Sequence, residues 1–168
     1  MTATSHLLIG SALGAATGNS YAAFFVGVAS HFVCDLLPHV DAAIVDEKGE
    51  SEDITTDLDH SFKAYLVASI DILVGLIVTA FFVFSSESNL MWPIIWGAVG
   101  GLSIDIIDNV PFWSGFVRKL PFFRSLHNFH EGLHSVGKKF KKNHKSYGMW
   151  SQIILIALSL FYLLNKLV

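Results

Sequence analysis

The sequence predicts an all-α fold, a polytopic membrane helical bundle of about five membrane segments plus a basic amphipathic surface helix. Three observations lead there. Hydrophobic residues make up 52% of the 168-residue chain and charged residues only 15%, where an average soluble domain carries about 25%. The mean hydropathy is +0.53, so polar surface is too scarce to cover the chain in water. The apolar residues also gather into long runs with no strand-like alternation. Nothing marks a second domain, and residues 1–168 read as one unit.

The run from Leu7 to Val33 is broken by Gly18, Asn19 and Ser20, a turn signal. It predicts two helices, over about 5–17 and about 21–37. The first is short against the roughly 20 residues of a span, so it is expected to tilt, thin the bilayer or re-enter. A third helix follows over about 62–84, interrupted by a single charge, Asp71. A fourth covers about 92–108, with Gly97, Gly100 and Gly101 where helices can approach closely. The fifth, about 149–167, is the cleanest span. Trp92, Trp96, Trp113, Trp150 and Tyr147 fall near these ends, as an interfacial aromatic belt requires. The surface segment covers about 112–145, and its stretch from Arg124 to Lys142 can form an amphipathic helix on the membrane. Cys34 is the only cysteine, which excludes an intramolecular disulfide and a cysteine metal cage, and it reads as a small packing residue.

Charge distribution sets the expected topology. The loop over about 42–61 is acidic, whereas eight bases lie between Arg118 and Lys145. Two successive hairpins put the N-terminus, the acidic loop and the basic segment on one side, together with Lys48 and Lys63. The other side keeps only Lys166. The positive-inside rule makes the rich side cytoplasmic, with the N-terminus in and the C-terminus out. The start of the chain lacks the basic region of a cleavable signal, so the first apolar segment is expected in the mature protein. Lys138, Lys139, Lys141 and Lys142 are expected to meet anionic lipid headgroups, or more sharply to steer a phosphate-bearing substrate. The run does not resemble a nucleic-acid module.

The same topology gathers chemistry on one side. In His31-Phe-Val-Cys-Asp35-Leu-Leu-Pro38-His39-Val-Asp41, His31 and Asp35 are four apart and share a helix face. Pro38 ends or kinks the helix and turns His39 and Asp41 inward. Imidazoles beside carboxylates are the donors a metal ion needs, and the alternative is a His–Asp hydrogen bond that only fixes two helices. Asp105 and Asp108 lie three apart near a helix end, and two carboxylates in an apolar span repel unless a cation or proton lies between them. These six, His31, Asp35, His39, Asp41, Asp105 and Asp108, are the candidate metal ligands. Asp71 lies at a depth where it could meet His31, or it bonds a Ser or Thr of another helix. His127, His130 and His134 follow the i, i+3, i+7 spacing of one helix face. They are candidate general acid/base groups, or else a solvated surface. His6 and His60 are further candidates.

These residues resemble a family of small bacterial inner-membrane proteins known as membrane-bound metal-dependent hydrolases. The likeness begins at Thr4-Ser5-His6 with Gly10 following. It is strongest at His31-x-x-x-Asp35-x-x-Pro38-His39-x-Asp41, similar to the family's Asp-x-x-Pro-x-x-Asp core, and it continues at Asp105. It covers roughly residues 4–110; beyond Phe112 only the histidines and the final helix match. Many members carry His-Arg-Gly-x-Thr-His-Ser before the third helix. Here that place reads Thr55-Thr56-Asp57-Leu58-Asp59-His60-Ser61, which keeps the His-Ser end and lacks the first His and the Arg-Gly.

The function expected is a membrane-embedded, metal-dependent hydrolase of an ester or phosphoester, with a lipid or lipid-linked substrate arriving laterally. A divalent ion, Zn²⁺ first, then Mn²⁺ or Mg²⁺, would lower the pKa of a bound water towards about 7, with His127, His130 or His134 moving protons. Two rivals stand beside it. One is an ion, proton or metal transporter, which needs polar groups continuing to the far side. The other is a non-catalytic membrane factor whose cluster is a structural staple.

Overall fold

The computed structural model describes residues 1–39, 58–141 and 145–167. Asp41 and Lys142 lie outside that set, as do the side chains of His60, Lys138, Lys139 and Lys141. The described residues are helical, with no strand among them. The helices are α1 (Ala3–Thr17), α2 (Ser20–Leu36), α3 (Leu58–Ser85), α4 (Ser88–Asn109), α5 (Ser114–Val117), α6 (Pro121–Lys141) and α7 (Lys145–Leu164). Three segments are long and apolar enough to cross a membrane: Tyr65–Ser85, Ser88–Asn109 and Tyr147–Leu164. Helix α2 is a shorter apolar helix. On α3 the side chains of Leu66, Ile70, Leu73, Ile77, Phe81 and Phe84 are exposed, a continuous apolar flank suited to lipid.

The expected helices are all present, and three of them begin one turn early. α3, α4 and α7 start at Leu58, Ser88 and Lys145, ahead of the apolar residues that mark them in the sequence. The Gly-Asn-Ser turn forms as read. Gly18 closes α1 with φ 61°, a left-handed conformation that glycine adopts without strain. The Asn19 side chain then accepts from the amides of Tyr21 and Ala22 at 3.0 and 3.1 Å, capping α2. At the other end of α2, Leu37 is extended with ψ 152°, as a residue before proline prefers, and the helix stops.

The short α1 is the core rather than a peripheral span. It packs against α2, α3, α4 and α7, and its residues from Ser5 to Ala12 are buried without a break. Its first turn is seated on α3. The Asp71 carboxylate accepts from the amides of Ala3 and Thr4 at 2.5 and 3.3 Å, and the Thr4 hydroxyl donates to the Asp71 carbonyl at 2.6 Å. Asp71 thus answers amides that would otherwise lack partners at a helix start, where negative charge is also favoured. α1 starts inside the bundle, with Ser5 and His6 of its first turns already buried.

Close crossings lock α1 and α2 onto α4. Gly10 and Gly14 on α1 face Gly97 and Gly101 on α4, and a Cβ at Gly97 would collide with the Gly10 carbonyl. Gly27 on α2 abuts the Gly97 carbonyl, and Gly100 abuts the Phe24 carbonyl. Small residues four apart give this backbone-to-backbone contact, which drives helix association in lipid where burial of apolar surface cannot. The amphipathic α6 crosses the end of the bundle against α2 and α7. Trp92 and Trp96 lie early in α4, and Trp113, Tyr147 and Trp150 near the opposite end; all are exposed, consistent with two belts.

Candidate metal centre

The end of the bundle that α6 covers collects the polar residues. His6 comes from the start of α1, His31 and Asp35 from the last turns of α2, and Asp105 and Asp108 from the end of α4. His39 follows the Pro38 turn. Ser151 of α7 donates its hydroxyl to the Pro38 carbonyl, and Gly148 leaves room for the His39 backbone. His127, His130 and His134 descend from α6, whose first residue is Pro121, a helix-starting position where the missing N–H is harmless. His6, His31, Asp35, His39 and His130 are each no more than 1% exposed. Burial of so many polar groups in an apolar bundle is unfavourable unless they satisfy one another or a ligand.

Their nitrogens and oxygens converge. Asp35 Oδ2 lies 3.0 Å from His31 Nε2, 3.1 Å from His130 Nε2 and 3.5 Å from His134 Nε2. Asp35 Oδ1 lies 3.2 Å from His6 Nε2 and 3.9 Å from His39 Nε2, and accepts from the Met1 ammonium at 2.7 Å. His130 Nε2 is 3.2 Å from His31 Nε2 and 3.1 Å from His134 Nε2. The His6 and His31 rings stack at 4.1 Å. Asp105 stands slightly further off, 3.9 Å from His31 Nε2 and 4.0 Å from both His6 and His130.

The outer nitrogens explain why the inner ones point together. His31 Nδ1 donates to the Gly101 carbonyl at 2.8 Å and His39 Nδ1 to the Leu37 carbonyl at 2.7 Å. His130 Nδ1 lies 3.0 Å from Asp108 Oδ2. An N–H anchored outward leaves the lone pair of Nε2 directed at the cluster, the arrangement metal-binding histidines adopt. Both nitrogens of His6 are buried with no hydrogen bond of good geometry. These donors fit a metal ion: groups of three, His6–His31–Asp105, His31–Asp35–His130 and Asp35–His39–His134, each place their ligand atoms within 4.8 Å of one another. Nitrogen and oxygen donors of this kind suit zinc, manganese and similar divalent ions.

Asp108 plays a different part. Its carboxylate holds His130 Nδ1, lies 2.9 Å from His127 Nδ1, and accepts from Arg118 Nε at 2.9 Å, while Arg118 Nη2 reaches the Asp108 carbonyl at 2.6 Å. On α6, His130 is held from both sides, with Nε2 3.1 Å from Asp35 and Nδ1 3.0 Å from Asp108.

Of the residues singled out in the sequence, the structure brings together His6, His31, Asp35, His39, Asp105, His130 and His134. Asp105 and Asp108, expected to face one another, instead face different partners. Three residues apart, they diverge at the helix end: Asp105 faces the imidazoles and accepts from Asn109 Nδ2 at 2.9 Å, while Asp108 faces Arg118 and α6. Asp71 does not meet His31, because it caps α1. His127 pairs with Asp108 outside the donor groups. The α6 histidine face turns into the bundle, and Phe122 and Phe129 are exposed on its surface. Sequence reasoning missed Arg118 and Ser151. No spacing rule links Arg118 to Asp108 across the turn at Pro111, and Ser151 reads as an ordinary small residue of a span.

Compared with family models, with curated proteins and with solved structures, the chain finds no match.

Proposed function

We propose that the protein is a membrane-embedded, metal-dependent hydrolase that cleaves an ester or phosphoester of a lipid or lipid-linked substrate. The observation that carries this reading is the convergence of imidazole Nε2 atoms on the Asp35 carboxylate, with the outer nitrogens of His31, His39 and His130 tied back to acceptors. Residues placed only to staple helices need no inward lone pairs. A divalent ion, Zn²⁺ first and Mn²⁺ or Mg²⁺ after it, held among His6, His31, Asp35, His39, Asp105, His130 and His134, would supply Lewis-acid polarisation of the substrate's ester oxygen. The resemblance of His31 to Asp41 to the hydrolase family points the same way.

The chain's own residues do the rest. Asp108 and Arg118 hold His130 in one ring orientation. α6 covers the donors from water, which strengthens every charge interaction beneath it. His127, partly exposed and bonded to Asp108 through Nδ1, is placed to pass protons between the site and solvent. A groove of about 550 Å³ runs between α2 and α7 over a floor of α1. Ile9, Ala12, Val33, Leu155 and Leu158 are among its lining residues, and at one end it reaches Cys34 and Leu37, which flank Asp35 and His39. Its occupant in this reading is one hydrocarbon chain of a membrane lipid, whose polar end then lies at the cluster. The protein sits in the bacterial inner membrane with the cluster on the cytoplasmic side, and Lys138, Lys139, Lys141 and Lys142 meet anionic headgroups.

Metal analysis tests this first. Protein purified without chelator is expected to carry bound divalent ion, and to lose it on acidification as protons compete for the imidazoles. Less than a tenth of an ion per chain removes the proposal. Loaded protein in lipid nanodiscs is then expected to hydrolyse phospholipid or lipid-linked phosphoester, and to stop when Asp35 is replaced by Asn. A metal-loaded protein with no turnover across such a panel leaves the staple reading, for which the Met1–Asp35 ion pair speaks.

A further inference from the structure

We infer that the cluster is built for two divalent cations, one between His6, His31 and Asp105, the other among Asp35, His39 and His134, with His130 Nε2 between them. The inference rests on the metal reading above and goes beyond it in number and placement.

Donor capacity is the first argument. The three donor groups together offer five imidazoles (His6, His31, His39, His130, His134) and two carboxylates (Asp35, Asp105). A tetrahedral ion takes about three or four protein ligands. Seven donors exceed one such ion and suit two. Separation is the second argument. The first and third groups share no residue, so both can be filled at once, whereas the middle group borrows His31 from one and Asp35 from the other.

The geometry of Asp35 supports a bridge. Oδ1 faces His6 of the first group and His39 of the second, at 3.2 and 3.9 Å. Oδ2 faces His31 of the first and His134 of the second, at 3.0 and 3.5 Å. Asp35 thus stands between the two groups with both oxygens within 4 Å of a histidine of each, and two ions would use one oxygen apiece in place of the Met1 ammonium now on Oδ1. Paired ions in hydrolytic sites stand about 3.5–4 Å apart. His130 Nε2 lies between His31 and His134, at 3.2 and 3.1 Å, and its single lone pair completes one of the two ions. His6 supplies the independent sign of a second ligand. It is 1% exposed, it stacks on His31, and neither ring nitrogen has a hydrogen bond of good geometry. An ion confined to Asp35, His39 and His134 would leave His6 with only its 3.2 Å approach to Asp35 Oδ1, whereas one beside Asp105 would take its lone pair.

The test uses the full chain in nanodiscs loaded with Mn²⁺ and dialysed, with metal counted by mass spectrometry and pairing read by electron paramagnetic resonance. The parent is expected to hold about two ions per chain with a spin-coupled spectrum. H6A and D105N are each expected to keep about one ion, as are H39A and H134A, and in all four the coupling gives way to the six-line signal of isolated Mn²⁺. Asp105 and His134 are partly exposed, so D105N and H134A decide the matter if the buried variants do not fold. A parent that saturates at one ion, or holds two without coupling, overturns the inference and leaves the hydrolase reading standing. A parent that holds none overturns both.

Discussion

The two ends of the bundle handle polar groups in opposite ways. At the end away from α6, the polar side chains serve their own backbone. Asn19 accepts from amides two and three residues on, Thr17 donates to the Gly14 carbonyl at 2.8 Å, and Ser86 donates to Val83 at 3.1 Å. At the α6 end the partners are distant in sequence: His31 meets His130 across 99 residues, and His130 meets Asp35 across 95. Local bonds finish helices and could be made by any chain that turns at the membrane surface. Long-range polar contacts have to be assembled by the whole fold, and they concentrate where chemistry is proposed. This one-sidedness also weighs against transport, which needs polar groups along a path to the other side.

Mutations at the two ends sharpen the contrast. The largest effect is expected for Asp35→Ala, which leaves the Met1 ammonium and the surrounding imidazoles without their common acceptor. Removing one partner of a buried charged pair destabilises by about 3–5 kcal/mol, and thermal unfolding in detergent together with metal content should both fall. A D35A variant that keeps its metal would break the comparison. Next comes Gly97→Ala. The new methyl would press on the Gly10 carbonyl, and overpacking of this kind destabilises by about 1–3 kcal/mol, read as a lowered unfolding midpoint with metal stoichiometry kept in the folded fraction. Asp108→Asn should leave the fold intact and weaken metal affinity about 10–100-fold by loosening His130, measured by competition with a chelator. Asn19→Ala, at the far end, should lower stability by about 1 kcal/mol through loss of a cap. Its metal affinity should match the parent, and any change would show that the two ends are coupled.

Much of this was legible in the sequence, and the exceptions have physical causes. Composition and apolar runs were enough for the helices and for the turn at Gly18, because each depends on neighbouring residues. The starts of α3, α4 and α7 lie one turn before the long apolar runs, because Asp59, His60, Ser88, Asn89, Lys145 and Ser146 lower the hydropathy of those turns. The His31–Asp35–His39 arrangement was readable from spacing and from Pro38. Asp71 was not, because the same residue type in the same apolar setting can be a ligand or a helix cap, and only the seating of α1 decides. The divergence of Asp105 and Asp108 turns on Arg118, which reaches back across a proline turn. His6 is central because α1 starts deep in the bundle, a matter of tertiary packing that one segment's sequence does not encode.

The enclosure of α1 by α2, α3, α4 and α7 also has a consequence for biogenesis. A segment so wrapped has little surface of its own for lipid, and its buried imidazole finds Asp105 only once α4 has been inserted. The packing of α1 is therefore complete only once α7 has been synthesised. A chain truncated before α7 would leave α1 without one of its four packing neighbours, and is expected to be cleaved faster than the parent in limited proteolysis.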